Sequence, residues 1–367
     1  MKIRTIILLG GVSLGALAYA FPFLPASEGV DVFATGTVSF RADDNIFLSK
    51  SATSDTIFNL TPGLELTVGK DTDFKGTVTI AESFSIYSSH TNLNTNLFSI
   101  DGNGSYSDGK MKLNLATGYH ELNQNTVDNR GLTRRNIFNA GGNGEIEVSQ
   151  ITSAGGGIAF NHTSYHRAGY ISSDDYTLPL NLYYKWTPKV DLSVGYQFHD
   201  YEPVTGASSK DNFFNVGARG EFDPKLKGNF RVGYFKRTSS RGVPSATLLG
   251  VDATLDYAIT PKSNLVLTST NQADTSPQGA QQKNFTLGAS VQTALDAQWS
   301  VKGGLNYRAI NYGNHTDDYV EGILGANYVI NTNIRLLGEY IYRDNSSKLV
   351  GSQFTENVFT LAANLRY

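Results

Sequence analysis

Residues 357–367 read NVFTLAANLRY, and apolar and polar side chains alternate along them up to a terminal tyrosine. Successive side chains of a β-strand point to opposite faces. One face would carry Phe359, Leu361, Ala363, Leu365 and Tyr367, and the other Thr360, Ala362, Asn364 and Arg366. This alternation is typical of a strand with lipid on one side and water on the other. Because soluble sandwiches also end on such strands, the prediction needs support from the rest of the chain.

The first residues predict a secretory signal peptide. Lys2 and Arg4 precede an apolar run at residues 6–17. Residues 18–20 (AYA) have small side chains at the two positions that a signal peptidase recognises before its cleavage site. The run is shorter than the roughly 20 apolar residues of a membrane-spanning helix, and a retained anchor is the alternative. We expect a signal peptide at 1–20, a short periplasmic segment at 21–30 and the barrel at 31–367.

The composition favours a membrane barrel among exported proteins. There are 20 Tyr and 20 Phe against 2 Met, and no Cys, so disulfides cannot stabilise the chain. After residue 20 no segment is long and apolar enough for a transmembrane helix, and only helices and closed barrels satisfy every backbone group in lipid. The formal net charge of −3 argues against a nucleic-acid partner. No linker-like segment divides the chain into two soluble domains.

Short turns and longer polar loops alternate along the chain. In the second half, Pro-, Asp- or Asn-containing turns recur about every 36 residues, and such residues favour tight reversals. Between the turns lie nine longer connections rich in Asn, Ser, Gly, Asp and Thr, at 42–54, 88–94, 123–135, 164–175, 202–210, 238–246, 273–282, 311–316 and 344–354. This arrangement predicts an all-β, antiparallel, up-and-down transmembrane β-barrel of about 18 strands (roughly 16 to 20), with short periplasmic turns and long extracellular loops.

Aromatic residues are expected in two bands where the barrel meets the membrane interfaces, because amphipathic rings favour that position. The band beside the short turns is Tyr184, Trp186, Tyr257, Trp299, Tyr328 and Tyr367, and the band toward the loops is Tyr87, Tyr119, Phe198, Tyr234, Tyr307 and Tyr340. The general strand propensity of Tyr and Phe is the alternative explanation. Glu82 falls on the lipid-facing parity of its strand, so we expect a bulge there or a position near the rim.

The opposite face of the strands predicts a charged lumen, since a barrel of this size leaves an aqueous passage. The pore-lining candidates are Lys185, Arg219, Glu221, Arg231, Lys302, Arg308, Glu321, Arg335, Glu339 and Arg343. The two signs nearly balance, which predicts weak ion selectivity unless one sign clusters at a constriction. Arg308 with Arg335, Glu339 and Arg343 is the candidate cluster, and pairing across strands that only hydrates the wall is the alternative. The 123–135 loop, with Arg130, Arg134 and Arg135, could fold inward or bind lipopolysaccharide phosphates.

No motif predicts an enzyme, a metal site or a cofactor. The chain contains neither Gly-x-Ser-x-Gly nor His-Glu-x-x-His, and its six histidines fall near the loop ends of the predicted strands. His162 and His166 would lie about 13 Å apart on one strand, too far to share a metal. We therefore expect exposed histidines at the rim and no catalytic site.

Two segments resemble known bacterial proteins. The C-terminal strand ending at Tyr367 resembles the signature that the barrel-assembly machinery of outer membranes recognises. Residues 41–48 (RADDNIFL), 54–58 (SDTIF) and 61–66 (TPGLEL) resemble the opening of the family named "putative beta-barrel porin type two". The resemblance implies an outer-membrane location in contact with lipid and lipopolysaccharide and, as in several members, an association with polysaccharide export proteins.

These observations predict an outer-membrane channel for passive diffusion of small hydrophilic solutes with weak ion selectivity. The alternatives are a barrel component of exopolysaccharide export, or a structural or adhesin barrel without an open pore.

Overall fold

Long β-strands make up nearly all of the structure. The computed structural model describes residues 24–27, 29–129 and 131–367, so the expected signal peptide at 1–20 lies outside the described residues. The strands are β1 Leu24–Ser27, β2 Val30–Asp43, β3 Asp55–Val68, β4 Phe74–Tyr87, β5 Thr95–Ser107, β6 Met111–Gln124, β7 Thr133–Ser149, β8 Thr152–Tyr165, β9 Ser173–Thr187, β10 Val190–Pro203, β11 Ser209–Asp223, β12 Leu226–Ser239, β13 Ala246–Thr260, β14 Ser263–Thr275, β15 Gln281–Ala294, β16 Trp299–Asn311, β17 Thr316–Val329, β18 Ile334–Ser347 and β19 Phe354–Arg366. Helix in this part of the chain is limited to the 3-10 turns Thr91–Leu93 and Val350–Ser352. None of the described helices could span a membrane.

The strands β2 to β19 form a closed ring. Each pairs antiparallel with the next strand in the chain, and β19 pairs with β2, with Leu361 opposite Phe40. The closed barrel has 18 strands, which confirms the predicted fold and strand number. The short strand β1 pairs with the start of β2, with Leu24 opposite Val32. This part of β2 precedes Thr35, where the pairing of β2 with β19 begins. It falls within the segment that we expected to be periplasmic.

Turns and loops alternate as predicted. The short connections are 69–73, 108–110, 150–151, 188–189, 224–225, 261–262, 295–298 and 330–333, and the loops are 44–54, 88–94, 125–132, 166–172, 204–208, 240–245, 276–280, 312–315 and 348–353. Most loops are shorter than predicted because strand pairing continues through polar residues; Asp174 opposite Glu202 is one such pair. We call the two ends of the barrel the turn end and the loop end.

The two faces of the barrel wall differ as the alternation predicts. Leu305, Leu324 and Val194 point outward and are 66%, 63% and 64% exposed, which suits a surface in contact with lipid. Glu82 also lies on the outer face, where its carboxylate accepts a hydrogen bond of 2.9 Å from Asn96, the second residue of β5 at the loop end. The pairing of β4 has no register shift, so the expected bulge is not found, and Phe84 and Ile86 lie between Glu82 and the loop end on the same face.

Buried apolar residues lie inside the mouth of the barrel. Ile46, Ile57 and Tyr87 form one cluster, and a second consists of Leu48, Tyr319 and Phe354. The placement of Tyr87 in the loop-side aromatic band was therefore wrong. Its parity on β4 turns the ring inward, where it packs against residues of the 44–54 loop.

Candidate functional site: the lumen

The inward faces of the strands enclose a cavity of about 1170 Å³. Side chains from β4 round to β18 line it, together with Leu48 and residues 125–128 from two loops. The cavity contains charged, carboxamide and hydroxyl groups, so it is a polar lumen inside an apolar outer surface. This is the arrangement of a barrel that encloses water.

All ten predicted pore-lining residues have the inward parity of their strands. Five of them, Arg219, Arg231, Arg308, Glu321 and Arg343, line the cavity. Lys185, Glu221, Lys302, Arg335 and Glu339 have the inward parity of the same strands but lie outside the cavity lining. Most of these charges are close to a partner of opposite sign.

Arg219 forms the most extended of these ion pairs. Its guanidinium donates two hydrogen bonds of 2.6 Å to Glu145 on β7 and one of 3.0 Å to Asp191 on β10. To reach Glu145 from β11, the side chain crosses the ring of Tyr183, whose centroid is 3.4 Å from the guanidinium carbon. Gly155 lies on β8, between Glu145 on β7 and Tyr183 on β9, and a Cβ at this position would be 3.2 Å from the Tyr183 ring. The Arg219 side chain thus lies flat along the wall.

The four residues predicted as a constriction cluster do not bind one another, and three of them have separate partners. Arg343 binds Glu321 at 2.8 Å and Glu356 at 2.7 Å, whereas Glu339 binds Lys302 at 2.5 Å. Arg335 is exposed near the turn end, and no carboxylate in the described part of the chain pairs with it. Arg343 and Glu339 follow the alternative of pairing across strands, whereas Arg335 and Arg308 do not.

Arg308 pairs with a loop. The 125–132 loop folds into the barrel, where the carboxylate of Asp128 accepts two hydrogen bonds of 2.9 Å from Arg308. β7 and β16 lie on opposite sides of the ring, so the loop reaches across the lumen. Tyr170 donates a hydrogen bond to the carbonyl of Asn129, which joins this loop to the 166–172 loop. Of the basic residues predicted here, Arg135 is buried, Arg134 binds Glu121 at 3.3 Å, and Arg130 lies outside the described residues.

The 44–54 loop supports the 125–132 loop from the side. Asn45 is 1% exposed, and its side chain donates hydrogen bonds of 2.8 Å to the carbonyls of Ser49 and Thr355. Asn125 donates to the carbonyl of Ile46 at 2.5 Å, and Leu48 packs with Val127. The motif RADDNIFL therefore builds a packed layer of loops at the mouth, a role that the sequence did not reveal.

The six aromatic residues predicted beside the turns lie on the outer face of the barrel. Tyr184, Trp186, Tyr257, Trp299 and Tyr367 are exposed, and Tyr328 is half-buried because its ring lies 4.7 Å from that of Trp299. On the loop side, hydroxyl groups of outward tyrosines donate to polar partners, as Tyr307 does to Asp318 at 2.6 Å and Tyr340 to Asn357 at 2.6 Å.

The histidines differ in their surroundings. The side chain of His199 is 13% exposed and lies between Asp211 at 2.8 Å and Asp175 at 3.1 Å, so its prediction as an exposed rim histidine was wrong. Within the described residues, no group of three or more His, Asp or Glu side chains is arranged to hold a metal ion.

A closed 18-strand barrel with a polar lumen defines the class of outer-membrane β-barrel channels. The chain belongs to the family described as "Putative beta-barrel porin 2", whose model matches residues 32–367. This confirms the resemblance of residues 41–66, and the protein is an outer-membrane porin of this family. Family and fold indicate a channel rather than an enzyme. A comparison with curated proteins finds no match.

Solved structures of outer-membrane proteins share the fold. The structure of OccAB2 from Acinetobacter baumannii is 10% identical, with 95% of this chain and 99% of that chain covered and a TM-score of 0.51. OpdK from Pseudomonas aeruginosa is 8% identical, with 92% and 99% covered and a TM-score of 0.50. OpdL from the same organism is 12% identical, with 93% and 99% covered and a TM-score of 0.50. At these identities the likeness concerns the fold alone, and neither it nor the family favours the polysaccharide-export alternative.

Proposed function

We propose that small hydrophilic solutes diffuse passively through the lumen and that the layer of loops around Asp128 and Arg308 is its narrowest section. The observation that carries the proposal is the polar cavity of about 1170 Å³, bounded at the loop end by the inward-folded 125–132 loop. The cavity is large enough for a small organic solute with its hydration water.

Weak ion selectivity is part of the proposal. The cations that line the cavity are Lys75, Arg219, Arg231, Arg308 and Arg343, and the anions are Asp128, Glu145, Asp252, Asp274 and Glu321. Each of the four arginines binds at least one carboxylate. Because the fields of paired charges largely cancel, the wall favours neither sign of ion strongly.

Planar-bilayer recording with the purified full chain tests the proposal. A steady single-channel current in potassium chloride, with a reversal potential near zero under a salt gradient, is the expected result. Swelling of proteoliposomes in isotonic sugar solutions measures the passage of uncharged solutes. A barrel that inserts but yields neither current nor swelling would be structural, and a large reversal potential would contradict weak selectivity.

We further propose that the aromatic band beside the turns lies at the periplasmic interface of the membrane. Rings at this depth keep an apolar body in lipid and a polar tip in water, which supports the assignment of Trp186, Trp299 and Tyr367. We expect lipopolysaccharide to contact the loop end and the barrel-assembly machinery to recognise β19 with Tyr367. Fluorescence quenching of the two tryptophans by lipids brominated at defined depths tests their position. Emission that shallow bromine does not quench would contradict it.

A further inference from the structure

Eleven carboxamide side chains line the cavity. They are Asn103, Asn114, Asn125, Asn139, Asn143, Asn181, Gln197, Asn229, Gln272, Asn284 and Asn306. Asn125 donates to the carbonyl of Ile46 and Asn284 donates to Asp274. The carboxamides of the other nine make no hydrogen bond within the described part of the chain. This contrasts with the arginines of the same wall, which bind carboxylates.

Unpartnered carboxamides need partners from inside the lumen. Asn114 and Asn143 are exposed, and Asn181 and Gln197 are half-buried, so a molecule in the lumen can reach these side chains. Because each carboxamide can donate and accept hydrogen bonds, its partners have to come from the lumen contents.

Four of the unpartnered carboxamides lie on neighbouring strands between β6 and β10. In the strand register, Asn143 is opposite Asn114 and Gly157, and Asn181 is opposite Gly155, while Gln197 lies beyond Pro179 on the next strand. A Cβ at Gly157 would lie 2.8 Å from the carbonyl oxygen of Gly142, so a larger residue does not fit there without a shift. We call Asn114, Asn143, Asn181 and Gln197, with the glycines 155 and 157, the amide recess.

The chemistry of the amide recess matches one class of solute. A carboxamide both donates and accepts hydrogen bonds, as a sugar hydroxyl does, whereas ammonium groups only donate and carboxylates only accept. Since the arginines of the lumen are already paired, the wall carries little uncompensated charge to attract an ion.

We infer that the amide recess binds neutral polyhydroxylated solutes, in particular oligosaccharides, during their passage through the lumen. The inference rests on the proposed function and adds the substrate class and the residues that recognise it. Hydrogen bonds from several carboxamides hold the hydroxyl groups, and the paired charges leave carboxylated or aminated sugars without a favourable counter-charge.

Three trisaccharides of similar size test the substrate class in planar bilayers. Maltotriose is neutral, trigalacturonate carries three carboxylates, and the trimer of glucosamine carries amino groups. We expect maltotriose to interrupt the channel current in a saturable way, and the two charged trisaccharides to do so at least about tenfold more weakly. Stronger interruption by either charged trisaccharide would overturn the inference while leaving the proposed channel intact.

Variants test the site. Asn143→Ala with Asn181→Ala removes two carboxamides and should weaken the maltotriose effect about tenfold, since each neutral hydrogen bond contributes modestly. Asn327→Ala is the matched control, because Asn327 has the inward parity of β17 but lies outside the cavity lining. A change in mobility on heating in detergent gels verifies that each variant is folded. An unchanged maltotriose effect in the folded double variant would overturn the assignment of the recess.

Calorimetry of the detergent-solubilised barrel separates the two proposals. Maltotriose binding that the double variant loses and Asn327→Ala retains supports the recess even if no current is observed, a result that would overturn only the proposed channel. Absence of maltotriose binding and of current interruption in a conducting wild-type channel would overturn only the recess.

Discussion

Arg308 and Asp128 are 180 positions apart in the chain, yet two hydrogen bonds of 2.9 Å join the guanidinium to the carboxylate. The side chains are 18% and 5% exposed. Arg308 belongs to the wall and Asp128 to the loop that crosses the lumen, so this pair holds the loop in place. The planar guanidinium binds both carboxylate oxygens, which restricts the orientation of the loop as well as its distance from the wall.

Asp128→Asn should release the 125–132 loop and leave Arg308 unpaired at the narrowest section. Removing one partner of a buried ion pair costs about 3–5 kcal/mol, which is enough to favour an undocked loop. We expect a larger single-channel conductance and a reversal potential shifted toward anion preference. Asp318→Asn is the control, because Asp318 binds Tyr307 on the outer face. An unchanged conductance in Asp128→Asn would show that the loop is not the constriction.

Gly325→Ala should break the ion pair between Lys302 and Glu339. Lys302 passes over Gly325 to reach Glu339 on the strand beyond, and a Cβ at position 325 would lie 2.6 Å from Lys302 Cε. We expect a fall of about 1 kcal/mol in unfolding free energy, measured in urea with lipid vesicles, since the pair is half-buried. In Gly322→Ala the nearest atom would be 3.6 Å away, so this variant should retain wild-type stability. Equal effects of the two substitutions would contradict the explanation.

Gly69→Ala should impair folding more than Gly109→Ala. Both glycines lie in short turns with positive φ, 78° and 92°, so both substitutions cost about 1–2 kcal/mol in backbone strain. At position 69 the added Cβ would also collide with the Phe74 carbonyl. At position 109 no atom lies within 4 Å of the added Cβ. The rate of folding into vesicles, followed by gel mobility, measures the difference. Similar rates for the two variants would exclude the steric contribution.

Leu287→Arg should destabilise the barrel strongly, while Thr286→Arg should be tolerated. The two residues are adjacent in the middle of β15, but Leu287 is 50% exposed on the outer face and Thr286 lines the cavity. An arginine facing the middle of the lipid costs about 2–4 kcal/mol. Unfolding free energies in lipid vesicles measure both effects. A greater loss for Thr286→Arg would mean that the two faces are assigned in reverse.

The turn at Asp108 should weaken in acid. Backbone N–H groups of Met111 and Lys110 donate to its carboxylate at 2.8 and 3.0 Å and hold the pKa of Asp108 below its usual value of 3.8. Because the folded-state pKa is the lower one, the stabilisation is present above pH 3.8 and is lost as the pH falls through the folded pKa. Hydrogen exchange at the Met111 amide should lose protection in that range. In Asp108→Asn the protection should no longer depend on pH there.

Much of the barrel could be predicted because its signals are local. Alternation along β9 identified the outward row that includes Leu180 and Leu182, and turn residues such as Pro188 marked the reversals. Predictions failed where a residue depended on a distant partner. Tyr87, which the strand parity turns inward, is buried because Ile46 of the 44–54 loop packs against it. His199 is enclosed by aspartates of β9 and β11.

The amino-acid sequence by itself determined the strand faces, the alternation of turns and loops and the barrel class, because each depends on residues only a few positions apart. Ring closure then decided which residues meet across the lumen. It brought Arg308 to Asp128 and Arg219 to Glu145, and it directed two loops into the mouth. Those contacts depend on strand order, register and the width of the ring together. The path through the lumen is therefore a property of the tertiary structure.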